Sequence, residues 1–484
     1  MSQGASEVPL SALRLKYCER KDAFLEDNIK VKNPFCVFRD WLELALKTPE
    51  ILEPNAAALA TVSAEGRPSN RYVLVKEATA EGFTFFTNYG SRKAEDIKSN
   101  PYVAISFYWL PLRRSVRIEG VAEKISVEDS LKYFHQRPRA SQIGAAASPQ
   151  SQRIPSRSYL DDVEAAIKLE LGPDGEVPLP NWGGYLVRPD LIEFWQGQTD
   201  RLHDRIRFRR GGGVESEVDS KLVHKGEDGW LWCTLWSAGS LGRFAQHMSN
   251  AAHQVSCIGS EEQRVYEEPH VIFQNWLMAA QKEAPQVRPR LACMATVDKS
   301  GEPVTRLTSI EEVNSHGITF FTTLGSRQAG EISANPHVSL HFNWAPLMRS
   351  VRIAGSAHQL TEEQVRDQFR RFPRHVQMSI THGPRYAAAE WQSRSGFFAR
   401  IGQRLNTWLG KQPEEIPMPH NWGGYILTPS LYEFGMLSGE KAGRTRVRFR
   451  RVQELVTFKL KGRTGFMIRV MKIDTKLFKD MILL

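Results

Sequence analysis

The chain has 484 residues, 41% of them hydrophobic and 24% charged, a balance that fits a globular protein with more than one core. Aromatic residues reach 10%, with twelve tryptophans, which excludes a collagen-like chain, a disulfide knot and a wholly disordered polymer. The formal charge of +10 points to an anionic partner, but Lys and Arg are dispersed, so nucleic acid and a phosphorylated small molecule are not separated by composition.

No run of about eighteen apolar residues occurs, which argues against a spanning helix, and MSQGASEVPL lacks the charged and apolar halves of a signal peptide. The cysteines Cys18, Cys36, Cys233, Cys257 and Cys293 are odd in number and never spaced CxxC. That argues against a disulfide framework or a zinc site and for a reducing compartment. The expectation is a cytoplasmic protein with no metal and no membrane partner.

The chain repeats itself. FTFFTNYGSRKAEDIKSNPYVAISFYWLPLRRSVRIEG at 83–120 returns as ITFFTTLGSRQAGEISANPHVSLHFNWAPLMRSVRIAG at 318–355, with 22 of 38 positions identical. A constant offset of 235 runs from Pro34/Pro269 to Pro149/Pro384, and PNWGGYLVRPDLIEF later pairs with HNWGGYILTPSLYEF. So long a period predicts two domains rather than a solenoid: one over 1–236, a linker at 237–263 and a second domain over 264–451. The tail at 452–484 has no assigned role.

In chain order, PFCVFRDWLELALKT has helical apolar spacing. The runs ALATVS, NRYVLVKEAT, GFTFFTNY, YVAISFYW and RRSVRIEGVAEKIS follow, parted by turn residues, as in an antiparallel meander closed into a barrel. Helices interrupt at SRKAEDIK and SVEDSLKYFHQR. The fold class is mainly β with added helices (α+β), and no strand–GxGxxG–helix unit supports a doubly wound sheet.

Several stretches carry anion-binding chemistry. Ser91 is placed as an N-cap, which puts Arg92 and Lys93 in the first helical turn. The helix dipole disfavours cations there, so the pair makes sense when an external anion such as phosphate receives both charges and the free N–H groups; two solvated side chains are the plainer reading. Arg71 and Lys76 bracket the strand RYVLVK, but positions five apart face opposite sides of a flat strand. Two anionic groups, a ligand crossing the strand end or a charged edge strand all remain open. Tyr133, Arg137 and Ser141 are four apart on YFHQRPRAS, with Pro138 expected to end the helix at Arg137; a phosphate cradle and a solvated polar face weigh equally. Trp195, Arg201, His203 and Arg205 lie close together in FWQGQTDRLHDR, where a ring, two guanidiniums and an imidazole suit a planar anion. FFARIGQRLNTWLG at 397–410 has the pattern of a membrane-surface helix, although core or interface packing outweighs that reading.

Together RYVLVK, FFTNYGSRK, FYWLPL, YFHQRP, SQIGA, PQSQRIP, NWGGY and FWQGQTDRLHDR resemble the pyridoxamine 5′-phosphate oxidase family, in the family's order, across the first half of the chain. The second half resembles a diverged copy. The resemblance implies two tandem FMN-binding split β-barrels, with FMN bound where two barrels pair. It implies that Arg71, Tyr72, Val73, Leu74, Phe86, Thr87, Arg92, Lys93, Gln150, Ser151, Trp195 and Arg205 hold the FMN. It further implies that Lys76, Tyr133, Arg137 and Ser141 take the substrate phosphate, that Arg201 and His203 flank the reacting carbon, and that Arg14, Leu15, Lys16 and Tyr17 form an N-terminal lid. Ser115 stands where the family usually has Gln. The implied reaction is oxidation of pyridoxamine or pyridoxine 5′-phosphate by dioxygen to pyridoxal 5′-phosphate, with release of hydrogen peroxide. The alternative is a module that binds FMN or pyridoxal phosphate without turnover; a nucleic-acid binder is a distant third.

The second copy is expected to be catalytically dead. Under the offset Lys76 becomes Glu311, Lys93 becomes Gln328, Tyr133 becomes Gln368, Arg137 becomes Phe372 and Ser141 becomes Val376, while Gly435 replaces Trp195. A fused pair within one chain would therefore match each half-site with a deficient partner. The expectation is a homodimer through the first repeat, whose copies from two chains complete the sites.

Overall fold

A computed structural model describes residues 24, 29–148, 150–151, 157–197, 204–210, 222–235, 268–382, 415–438, 443–451, 455–462, 465–472 and 477–483. The N-terminal lid (14–17), the linker, Arg201, His203 and the stretch 397–410 lie outside these residues.

The first repeat opens with α1 (Pro34–Leu46), whose Asn33 cap accepts from Phe35 N and whose apolar stripe buries Val37, Phe38 and Trp41. Then come β1 (Ala56–Val62), β2 (Pro68–Thr79), β3 (Gly82–Asn88), α2 (Arg92–Ser99), β4 (Tyr102–Trp109) and β5 (Arg114–Lys124). Helices α3 (Val127–Gln136), α4 (Arg139–Ala147) and α5 (Arg157–Leu171) precede the long β6 (Trp182–Gln196), and β7 (Asp204–Arg210), β8 (His224–Lys225) and β9 (Trp230–Thr234) extend the sheet. The strand order β3-β2-β1-β4-β5-β6 closes on itself because β3 also pairs with β6, giving a six-stranded antiparallel barrel. Inward positions alternate along the strands and fill the barrel with Phe83, Phe85, Phe107, Trp109 and Phe194, each 2% exposed or less.

The second repeat follows the same plan with α6 (Pro269–Glu283), β10 (Leu291–Val297), β11 (Pro303–Ser309), β12 (Ile318–Thr323), α7 (Arg327–Ala334), β13 (His337–Trp344), β14 (Arg349–Gln359), α8 (Glu362–Arg371), α9 (Arg374–His382), β15 (Trp422–Ser438) and β16 (Gly443–Arg451). Its sheet stays curled and open: β12 pairs with β15 but not with β11. The cause lies in β11, which ends at Ser309, whereas β2 runs on to Thr79 and reaches β3. The tail beyond 451 forms β17 (Leu455–Gly462), β18 (Gly465–Lys472) and β19 (Leu477–Leu483). β19 pairs with β16 as β9 pairs with β7, so part of the tail completes the second sheet.

The two repeats pack on each other inside the chain: β2, β4 and β5 lie against strands of the β10–β14 sheet. Ala60, Ala104 and Ala295 form a small buried cluster where the sheets meet, and the small side chains permit the close approach. Asn100 Nδ2 donates to Gly301 O and Asn335 Nδ2 to Gly66 O, each at 2.8 Å. These are the same contact at positions related by the offset, so the interface maps onto itself as in a twofold dimer. In the single chain this face of the first repeat is covered by the second repeat.

Candidate active site

Between the repeats lies a cleft of about 1710 Å³, larger than the 300–1,000 Å³ usual for one small ligand. Its first-repeat wall contains Arg71, Tyr72, Val73, Leu74, Lys76, Phe86, Thr87, Arg92, Lys93, Tyr133, Arg137, Ser141, Gln150 and Ser151. Fourteen positions scattered over some eighty residues of sequence thus converge on one surface.

Arg71 and Lys76 reach this surface together through a break in the strand. In the β2–β3 ladder Val75 faces Phe85 and Glu77 faces Thr84, so Lys76 is the extra residue of a β-bulge. A bulge turns a side chain to the other face, which removes the alternation that had set the two cations apart. Arg71 is 7% exposed and donates to Leu59 O at 3.1 Å, Thr61 Oγ1 at 2.7 Å and Ser69 Oγ at 2.7 Å, with Asp96 3.6 Å away.

Ser91 does cap α2 in backbone conformation, but its side chain makes no capping bond. Lys93 Nζ instead donates to Thr87 Oγ1 at 2.8 Å, Ser91 Oγ at 3.3 Å and Gln150 Oε1 at 2.9 Å. The hydroxyls and amide hold the ammonium over the start of the helix. Arg92 makes no hydrogen bond or ion pair with a described residue. Ser151 holds a left-handed φ of 70°, a conformation a non-glycine residue keeps only when its surroundings impose it.

At the other end of the cradle Phe86 stacks on Tyr133 with centroids 3.9 Å apart and on Trp182 at 5.1 Å. Pro138 stops α3 at Gln136, leaving Arg137 as the extended C-cap residue. Its guanidinium lies 4.8 Å over Trp182, while Nη1 is buried without a hydrogen-bond partner. Burial lowers the affinity of Arg137 for its proton and pushes the Tyr133 hydroxyl up, although the neighbouring guanidinium pulls the latter back. A buried, unsatisfied cationic donor facing a cleft is the mark of an anion site, and it fits a phosphate.

Two expected members are elsewhere. Trp195 and Arg205 do not line this cleft: Trp195 pairs in register with Ser115 and with Arg205, whose guanidinium is 2.8 Å from Glu193. The equivalent place on the cleft wall belongs to the second repeat's Gly435, paired with Ser350. The reason is the intrachain pairing, which brings the β14–β15 end, not the β5–β6 end, to the first repeat's cradle. Sequence reasoning missed the second-repeat wall: His341, Arg349, Ser350, Arg352 and Met436. The His341 ring meets Tyr72 edge-on at 5.0 Å, and Arg352 donates to Ser69 Oγ at 2.9 Å. The signal available was the offset itself, applied to the partner half of the site.

A closed six-stranded barrel paired with a curled copy, and a cationic cleft between them, define a split-barrel protein. A sequence model described as pyridoxamine 5′-phosphate oxidase matches residues 47–166 and again 278–409, and one described as the pyridoxine 5′-phosphate oxidase C-terminal dimerisation region matches 182–237. The chain belongs to the pyridoxamine 5′-phosphate oxidase family, as a tandem duplication. It is 54% identical over 227 residues to a pyridoxine/pyridoxamine 5′-phosphate oxidase of Bombyx mori, covering 46% of this chain and 88% of that protein. It is 44% identical over 232 residues to a pyridoxine-5′-phosphate oxidase of Bos taurus, covering 48% and 88%. Solved structures similar to it include PhzG from Burkholderia lata 383 in complex with tetrahydrophenazine-1-carboxylic acid (25% identity, TM-score 0.39, 45% of this chain and 98% of that one). Another is a pyridoxamine 5′-phosphate oxidase-related, FMN binding protein from Nostoc punctiforme (20%, TM-score 0.31, 41% and 96%). Among the described residues no helix is long and apolar enough to cross a membrane.

Proposed function

We propose that the protein is an FMN-dependent oxidase that converts pyridoxamine and pyridoxine 5′-phosphates to pyridoxal 5′-phosphate. The observation that carries this reading is the presence of two cationic clusters, Arg92 with Lys93 and Lys76 with Arg137, on one cleft, as a reaction between two phosphate-bearing ligands requires. The alcohol substrate and dioxygen give the aldehyde and hydrogen peroxide; the amine also consumes water and releases ammonia.

Ser91, Arg92, Lys93 and Gln150 would hold the FMN phosphate, with Arg71–Leu74, Phe86, Thr87 and Ser151 beside the rest of the cofactor. When bound, FMN supplies a hydride acceptor that dioxygen returns to its oxidised form. Lys76, Tyr133, Arg137 and Ser141 anchor the substrate phosphate and so fix the reacting carbon relative to the cofactor. Arg201 and His203 are assigned to orienting that carbon and controlling charge at it; Trp195 and Arg205 stand on the strands that flank them. Since Trp195 and Arg205 are not on this cleft wall, turnover with these four residues requires the first repeat of a second chain, a homodimer that the match to a dimerisation region supports.

A second reading, an FMN- or pyridoxal-phosphate-binding module without turnover, is favoured by one observation: Gly435 occupies the wall position of Trp195. Purified protein given pyridoxine 5′-phosphate in air separates the two. A flavin spectrum with formation of pyridoxal phosphate and peroxide supports the oxidase; a flavin spectrum with no product supports the module; a colourless protein that takes up neither FMN nor pyridoxal phosphate refutes both.

A further inference from the structure

The two halves of the interface are related by an approximate twofold, so a phosphate cradle recurs in the second repeat around Arg306 and Arg327, the counterparts of Arg71 and Arg92. Its charges are spoken for. Arg327 lies 2.9 Å from Glu331, 3.6 Å from Asp298 and 3.8 Å from Glu119 of the first repeat. Arg306 is ion-paired with Glu331 as well. The offset shows what the first cradle has instead: Ala354 in place of Glu119 and Ser63 in place of Asp298. Arg92 thus lacks counterparts of both carboxylates that Arg327 meets; the acid that acts on it is Glu65, which is fully exposed and makes no ion pair with it. Gln328 has also replaced Lys93, and its amide turns to Met294 Sδ at 3.2 Å. Glu311, in the place of Lys76, is half-buried, and its Oε1 is buried without a hydrogen-bond partner. An incoming phosphate would have to break several ion pairs and approach carboxylates.

On the open side the second repeat is more than a spacer. Glu433 holds Arg352 at 2.9 Å, Arg352 donates to Ser69 Oγ, and the same hydroxyl accepts from Arg71 Nη2 at 2.7 Å. This chain of polar contacts ties the strand that carries Arg71 to the opposite repeat. The mirror position of Ser69 is Val304, so the tie exists on one side only.

We propose that each chain holds a single FMN, in cis, gripped by the first repeat's cradle and walled by Ser350, Gly435, Met436 and His341 of the second, while the second cradle is closed by the protein's own carboxylates. This rests on the cofactor assignment made above. The test is titration of the flavin-free full-length chain with FMN, read by quenching of flavin fluorescence, with sedimentation at the flavin's absorbance to show which species carries it.

One FMN per chain is expected on the single chain. Arg92→Ala and Met436→Glu should each weaken it at least tenfold, the first by removing a phosphate partner, the second by placing a carboxylate on the wall, and Arg327→Ala should leave it unchanged. Thermal unfolding of each variant separates lost binding from lost fold, and Met436→Gln, of like size without the charge, should bind nearly as the parent chain does. Two FMN per chain, or weakened binding in Arg327→Ala, would show the second cradle to be open and overturn the proposal. One FMN per chain carried only by chain pairs and indifferent to Met436→Glu would overturn the cis wall. Absence of any FMN uptake would sink the cofactor assignment and this proposal together.

Discussion

Arg137 and Glu311 show how one substitution changes the chemistry of a position. The Arg137 guanidinium rests on Trp182 and keeps a buried Nη1 without a partner, so a substrate phosphate gains a charge-assisted bond there. Arg137→Ala should therefore raise KM roughly ten- to a hundredfold, from a loss of about 1.5–3 kcal/mol, with FMN affinity unchanged; flavin loss at normal KM would refute the assignment. Glu311 stands where the first repeat has Lys76, and burial raises its carboxyl to about 8. A group whose proton is held more tightly in the folded state than in the unfolded one destabilises the fold as pH rises. Here the penalty begins near the ordinary carboxylate pKa of about 4.3 and is complete above about 8. Glu311→Gln should accordingly stabilise the protein by about 1–3 kcal/mol at pH 9 and leave it nearly unchanged at pH 4. Equal effects at both pH values in thermal unfolding would show that the carboxyl is not the cause. The cation positions were legible from residue type and motif, whereas the direction of Lys76 was not: a bulge is one extra residue in a ladder, and nothing in RYVLVK marks it.

At the scale of elements, the meander, the helix starts and the end of α3 at Pro138 followed from alternation, turn residues and capping chemistry. The open second barrel did not, because it depends on how far β11 runs before turning, and its apolar pattern resembles that of β2. The strands β5, β6 and β7 are joined by a buried carboxylate: Glu193 lies 3.0 Å from Arg117, 2.8 Å from Arg205 and 3.1 Å from Arg207. Burial alone would raise its pKa, but the three guanidiniums hold it well below the usual carboxylate range. Its stabilisation is present above that range and is lost as pH falls toward the depressed value. Glu193→Gln leaves three cations without their common partner and should cost about 3–5 kcal/mol at neutral pH, with the difference from the parent chain closing only in strong acid. A variant as stable as the parent at pH 7 would show that the cluster is dispensable.

The whole molecule poses the question of partners. Sequence offset revealed the duplication, and the substitutions in the second copy revealed which half-sites are deficient. Neither showed that the copies meet each other, since the interface rests on small residues and on side-chain-to-backbone contacts, such as Asn100 Nδ2 to Gly301 O, that carry no motif. The cis pair places Lys76 and Arg137 opposite Gly435, so the cleft can anchor both phosphates while the wall that the family residues Trp195, Arg201, His203 and Arg205 would form belongs elsewhere. If those residues act in turnover, two first repeats from different chains must meet, displacing each chain's second repeat from its own first repeat. Bimolecular pairing then makes activity per chain rise with protein concentration. Subunit mixing gives the sharper result. Lys76→Glu destroys the substrate anchor and His203→Ala the group at the reacting carbon, so each protein alone should be inactive. Co-refolded, they should regain partial activity, because a mixed pair contains one intact site and one doubly damaged site. Activity that is independent of concentration, retained in His203→Ala and not restored by mixing would place turnover within the single chain and remove His203 from the reaction.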